Sequence, residues 1–185
     1  MSVELVFLLE EPSAEALLRG LMPRLLPNLR VHYLSFQGKT DLENNIPRKL
    51  LVYRAPATRI LILRDQDSGN CQEIKSRIQG LCGQSGRNDV TVRIACRELE
   101  SWYLGDLAAV ERAFPNNRVS QFQQKAKYRS PDQLNNAAAE LSRIVPEYQK
   151  ISGSRAIAPH LSLEHNRSKS FQVFLRAVRS LGRGD

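Results

Sequence analysis

The feature that most constrains the fold of this chain is an apolar run, Ile60-Leu61-Ile62-Leu63, which passes through Arg64 into Asp65-Gln66-Asp67-Ser68-Gly69. Four consecutive aliphatic residues bounded by a turn-forming Ser-Gly predict a strand buried on both faces, as strands are in a parallel sheet. Such a strand delivers Asp65 and Asp67 at its carboxyl end. Residues i and i+2 of an extended segment share a face, so both carboxylates are expected to aim at one point. About 4 Å apart, two like charges repel by roughly 4 kcal/mol at an effective dielectric of 20, so the pair calls for a proton or a cation. Oxygen donors suit a hard divalent ion such as Mg²⁺.

A second strand, Glu4 to Leu9, also ends in acids, and Glu10-Glu11-Pro12-Ser13 then opens a helix. Ser13 is the expected N-cap, with Leu17, Leu18, Leu21, Met22 and Leu25 at helical spacing and Pro23 in the last turn. Ligands of open α/β sheets bind beyond the carboxyl ends of the strands. Glu10 therefore joins Asp65 and Asp67 as a candidate for one site. Acidic residues also gather at strand ends and helix N-termini for turn and dipole reasons alone, and that alternative stays open.

Further strands are expected over Arg30–Phe36 and Val90–Ala95. A helix opens at Thr40-Asp41-Leu42-Glu43 in a capping-box pattern, and another covers Gln72–Cys82 with Ile74, Ile78 and Leu81 inward. Alternating strands and helices imply an α/β domain with a mostly parallel sheet. Beyond Glu98 the pattern turns helical: Leu99–Leu104, Asp106–Phe114, Pro131–Ile144, a loop with Gly153 and Pro159, and a last helix from Ser170 to Leu181. The division is an α/β core over residues 1–114 and a basic helical extension over 115–185 packed on the same domain, with the join near Pro115-Asn116-Asn117.

At 185 residues one domain with a substantial core is the natural reading. No stretch approaches the ~20 apolar residues of a membrane span, and the N-terminal residues lack a signal-peptide pattern. Cys71, Cys82 and Cys96 show no Cys-x-x-Cys spacing, which argues against a disulfide framework or structural zinc and fits a cytoplasmic protein. They sit in apolar contexts that suit inert thiols, and His160 and His165 read as structural or solvated.

The net charge of +8 is uneven: residues 118–129 hold four basic residues and no acid, and residues 150–185 seven basic against two acidic. A basic half beside an acidic edge suits a polyanion, nucleic acid above all. A plain soluble basic surface fits equally well.

Two other segments bear on chemistry. Gly38-Lys39 precedes the capped helix, where backbone amides and a lysine make an anion site or else only a tight turn. Arg97-Glu98-Leu99-Glu100 follows the last strand, so Glu98 or Glu100 is a candidate for a second metal position or a general base. Leu99 and Trp102 are equally helix-spaced core residues, with glutamates facing solvent. Phosphate-loop and Gly-x-Gly-x-x-Gly spacings are absent, which gives no support to nucleotide hydrolysis or dinucleotide binding.

The order strand–Glu10, helix, strand, helix, strand–Asp65-Gln66-Asp67 resembles the Toprim fold of primases, topoisomerases, overcoming-lysogenization-defect nucleases and a ribosomal RNA maturase. Glu11 stands where that motif usually has glycine. A closer resemblance, to a Toprim-like bacterial family of unknown function, rests on residues 8–13 (Leu-Leu-Glu-Glu-Pro-Ser), 37–42 (Gln-Gly-Lys-Thr-Asp-Leu), 63–68 (Leu-Arg-Asp-Gln-Asp-Ser), 97–106 (Arg-Glu-Leu-Glu-Ser-Trp-Tyr-Leu-Gly-Asp) and 166–171 (Asn-Arg-Ser-Lys-Ser-Phe). The resemblance implies a Toprim-type nuclease dependent on Mg²⁺ or Mn²⁺. Asp65 and Asp67 would hold metal, Glu10 would bind it too or act as general base or acid, Glu98 or Glu100 would support a second ion, and Lys39 and Lys169 would meet the phosphate. It also implies an ABC-type ATPase partner and a place in phage defence. The rival is a non-catalytic regulatory subunit of an ATPase complex; a receiver-like signalling domain is disfavoured by Asp67 and the long helical half.

Overall fold

The computed structural model describes residues 4–183; residues 1–3 and 184–185, with the Asp185 counted in the basic tail, lie outside it. The expected alternation is present as β1 (Glu4–Leu9), α1 (Pro12–Leu25), β2 (Arg30–Ser35), α2 (Lys39–Val52), β3 (Thr58–Asp65), α3 (Cys71–Gly83) and β4 (Thr91–Ala95). All pairings are parallel, in the order β2-β1-β3-β4. Period-two alternation divides the central strands between two cores. Leu5, Phe7, Leu9, Leu61 and Leu63 enter the larger one with α1, while Val6, Leu8, Ile60 and Ile62 enter the smaller one with α2 and α3.

The chain steps outward from β1 to β2, then returns past β1 to β3. Connections of one hand must place their helices on opposite faces when the direction reverses. α1 and α2 do so. The reversal lies between β1 and β3, and such a point opens a crevice at the carboxyl ends of the strands.

The second half comprises α4 (Glu100–Leu104), α5 (Leu107–Ala113), a series of 3-10 turns between Pro115 and Gln133, α6 (Ala137–Ile144), α7 (Lys150–Ile157) and α8 (Lys169–Arg183). Trp102, Tyr128, Phe171 and Phe174 are fully buried in the same cluster as Leu5 and Phe7. The apolar core therefore runs continuously past Pro115-Asn116-Asn117, which form one of the 3-10 turns. Among the described residues no helix is long and apolar enough to cross a membrane.

Four local expectations are corrected. The helix expected over Pro131–Ile144 is broken by Asn136 at φ 56°, and only Ala137–Ile144 is α-helical. The reason is Asp132, whose carboxylate accepts from the Ser168 hydroxyl at 2.6 Å and the Ser170 amide at 2.7 Å and draws the segment to the start of α8. The expected loop around Gly153 is α7, because Gly153 sits against the Tyr148 ring where a Cβ would overlap it. Ser13 lies inside α1 behind Glu11 and Pro12. α2 opens one residue early, after Gly38 at φ 99°, and Asp41 rather than Glu43 reaches back, accepting from the Gln37 amide at 2.9 Å.

The segments 97–106 and 166–171 pack on one another. Asn166 donates to the Trp102 carbonyl at 2.8 Å, the Trp102 indole donates to Ser170 Oγ at 2.8 Å, and the Arg167 amide to the Gly105 carbonyl at 2.9 Å. A Cβ on Gly105 would lie 2.8 Å from the Ser168 amide nitrogen. These contacts fix α4, and α4 carries Glu100.

Candidate carboxylate centre

β1 and β3 end side by side, in register from Glu4↔Thr58 to Leu9↔Leu63. One step further, Glu10 Oε2 accepts the Asp65 backbone amide at 3.0 Å, which closes the 55-residue gap between them. Asp65 Oδ2 accepts the Leu99 amide at 3.2 Å, bringing the start of α4 over the strand ends. Glu10 is 9 % exposed and Glu100 2 %, with Glu100 Oε1 accepting from the Tyr148 hydroxyl at 3.0 Å.

The charges of these carboxylates meet at Asp65. Dense surrounding protein, then the charges of Glu100 and Glu10, push Asp65 well above the ordinary aspartate range. Glu10 is raised by burial, in part offset by the Asp65 amide and Arg64, with Asp67 and Glu11 adding to the rise. Glu100 is raised chiefly by burial, against Lys150 and Tyr148. The groups pressing on Asp65 are therefore Glu100 of α4 and Glu10 and Glu11 of the β1–α1 junction, rather than its neighbour in the motif.

Asp67 does not share the Asp65 face in the expected way. β3 ends at Asp65, and Asp67 takes a left-handed conformation at φ 54° with its amide donating to the Arg97 carbonyl at 2.7 Å. Its carboxylate lies at the mouth, 3.2 Å from the Lys39 ammonium. Arg97 at φ 65° and Asn136 at φ 56° are left-handed too, and with Asp67 and Glu98 they line a cavity of about 260 Å³ beside the centre. Asp and Asn enter that region readily, so of the three Arg97 carries the strain, about 1–2 kcal/mol, of a kind that gathers at functional sites.

The other expected residues divide. Glu98 Oε2 accepts the Ala138 amide at 2.7 Å, so its carboxylate caps the start of α6 on the flank. Lys39 is held on Asp67. Lys169 is exposed and lines a separate groove beside β4. Lys150 was missed: it stands 3.2 Å from Glu11, and although burial disfavours its charge, Glu100, Glu11 and Asp65 together raise its pKa. No local pattern marks it, because its partner lies 139 residues away. Tyr148 was missed for the same reason.

Among the described residues no group of three or more His, Cys, Asp and Glu side chains is already drawn into a metal-ligand arrangement. The donor set nevertheless fits a hard divalent cation. It is all oxygen, burial raises Asp65, Glu10 and Glu100 alike, the charges of Glu100 and Glu10 raise Asp65 further, and the ammonium groups beside them are the flanking Lys39 and Lys150.

Comparison with known families gives a match over residues 9–179 to a domain of unknown function, DUF4276. Comparison with curated proteins gives no match. Among solved structures, the C-terminal region of the Burkholderia pseudomallei OLD protein is similar with a TM-score of 0.60 at 14 % identity, covering 100 % of this chain and 98 % of that one. At that identity the likeness concerns the fold.

Proposed function

The chain belongs to the DUF4276 family, a domain of unknown function, and we propose that it is a divalent-metal-dependent nuclease of Toprim type. One observation carries the reading: Glu10, Asp65 and Glu100 converge from three elements on the crevice between β1 and β3, each held up by burial, and the charges of Glu100 and Glu10 add to the rise at Asp65. Carboxylates gathered at that cost call for a counter-charge beyond Arg64, which lowers Glu10, and the lysines on the flanks. Glu10, Asp65 and Asp67 would hold the ion, with Glu100 next, while Glu98 stays engaged as the cap of α6. Bound Mg²⁺ or Mn²⁺ would supply Lewis-acid stabilisation of the oxygens at a phosphodiester and a lowered pKa for attacking water.

The chain's own residues would position the ester. Lys39 and Lys150 stand on opposite flanks and would pass from Asp67 and Glu11 to phosphate oxygens once the carboxylates are neutralised. Tyr148 and Ser154 stand behind. Tyr148 holds Glu100, and Tyr103 donates to Ser154 Oγ at 2.7 Å, which fixes α7 and hence Lys150. Similarity to the OLD protein's C-terminal region supports the nuclease reading, and an ATPase partner and a defence role follow from the family resemblance. The regulatory reading draws on a different observation, that Lys39 already neutralises Asp67.

The test is cleavage of plasmid, single-stranded DNA and RNA with Mg²⁺ or Mn²⁺ by wild type and Asp65→Ala. Cleavage that chelator abolishes and D65A lacks is the expected result. Intact substrates with folded wild-type protein sink the reading for the isolated chain.

A further inference from the structure

β4 is an edge strand, hydrogen-bonded to β3 alone. Ala95 turns its carbonyl inward, to the Gln66 amide at 2.9 Å. Strand alternation therefore turns the backbone N–H and C=O groups of Val92 and Ile94 outward. α3 and α8 rise on either side of this edge and leave a groove of about 440 Å³. Its apolar lining includes Val92, Ile94 and Val173, the last 39 % exposed.

The groove carries three cations: Lys75 on the α3 wall, Lys169 on the α8 wall, and Arg93 from the edge itself. Among the described residues none of them forms an ion pair. Asp132, also at the groove, is engaged with the Ser168 and Ser170 groups. Arg93 is only partly exposed, its Nε has no hydrogen-bond partner, and one terminal nitrogen donates at 2.8 Å to the carbonyl of its own neighbour Val92. Burial pushes its guanidinium below its ordinary pKa with no carboxylate to offset it. Solvated lysines commonly guard exposed edges against pairing; a half-buried arginine with an unpartnered Nε between two lysines is suited instead to receive a carboxylate.

We propose that the β4 edge docks an extended acidic segment of a partner protein, which adds to the sheet as a fifth strand between α3 and α8. Main-chain bonds to Ile94 and the Val92 amide would give register, the Val92 carbonyl joining as Arg93 turns from it to a carboxylate; apolar side chains would lie over Val173, and carboxylates would also meet Lys75 and Lys169. The groove contains no aromatic side chain on which the bases of a single strand would stack, which favours polypeptide over nucleic acid. This surface is independent of the carboxylate centre.

The probe is a fluorescein-labelled Val/Glu octapeptide of sequence Val-Val-Glu-Glu-Val-Val-Glu-Glu, which carries carboxylates on both faces of an extended strand, titrated into the full chain by anisotropy. Controls are a Val/Lys octapeptide, the Val/Glu peptide N-methylated at every second amide, and the charge-reversed protein K75E/K169E. We expect the Val/Glu peptide to bind, N-methylation and K75E/K169E each to weaken it by about tenfold or more, and the peptide to slow iodoacetamide labelling of Cys71, which lines the same groove. Equal binding of the Val/Lys peptide, unchanged affinity for K75E/K169E, or displacement by an oligonucleotide in preference to peptide overturns the proposal. So does the absence of binding up to millimolar peptide, which would leave the cations as guards of the edge.

Discussion

Asp65 is the residue on which the centre turns, and its surroundings make a signed prediction. Its folded-state pKa stands above its ordinary 3.8 because burial and the charges of Glu100 and Glu10 penalise the anion. The metal-free fold thus keeps a proton that the unfolded chain releases, and stability falls as pH rises from about 3.8 through the folded value. Glu10 and Glu100 act with the same sign. Asp65→Asn keeps an acceptor for the Leu99 amide and removes the charge. In chelator at pH 8 it should melt above wild type by about 2–4 °C, a gain of about 1 kcal/mol for a chain this size. Mg²⁺ should raise the melting temperature of wild type and leave D65N nearly unmoved. Thermal denaturation with and without metal checks both, and a D65N that melts below wild type at pH 8 counts against the description.

At the element scale, two segments hold the centre in place. Gly153 lets α7 approach Tyr148, so Gly153→Ala should drive that ring off Glu100 and cost about 1–3 kcal/mol in urea unfolding, as overpacking does. A stability unchanged by G153A would mean that Tyr148 can move freely. Glu98 is the second case. As the cap of α6, Glu98→Ala should cost about 1 kcal/mol, whereas Glu98→Gln, which retains an acceptor for the Ala138 amide, should cost little and keep wild-type cleavage. A large loss of metal-dependent cleavage in E98Q at unchanged stability would move Glu98 from cap to ligand. The element-level errors share one cause: Gly153 reads as a breaker and Pro131–Ile144 as continuous only when the packing partner of each, Tyr148 and Ser168-Ser170, is out of view.

For the whole molecule, the continuous core predicts that residues 1–114 expressed alone lack a cooperative thermal transition, since Trp102 loses Phe171 and Phe174, both at 5.0 Å between ring centroids. A sharp transition in that fragment, by circular dichroism, would show two folding units instead. The basic half is also arranged differently from its composition. α8 begins at the carboxyl edge, where Ser170 Oγ accepts the Cys96 amide, and ends where Gly182 meets Leu26 beyond α1, so Arg176, Arg179 and Arg183 lie away from the acids. The ammonium groups that reach the centre are Lys39 and Lys150 instead. The sequence by itself determined the four strands, their parallel order of β and α, and the acids that end β1 and β3, because burial on both faces and helical spacing are local patterns. Only the tertiary structure decided which acids meet. It set Glu100 and Glu10 against Asp65, turned Asp67 to the mouth and Glu98 to α6, and brought Lys150 to Glu11. Those contacts join residues tens to more than a hundred positions apart, and long-range Coulomb energy and close packing leave no periodic trace in the chain.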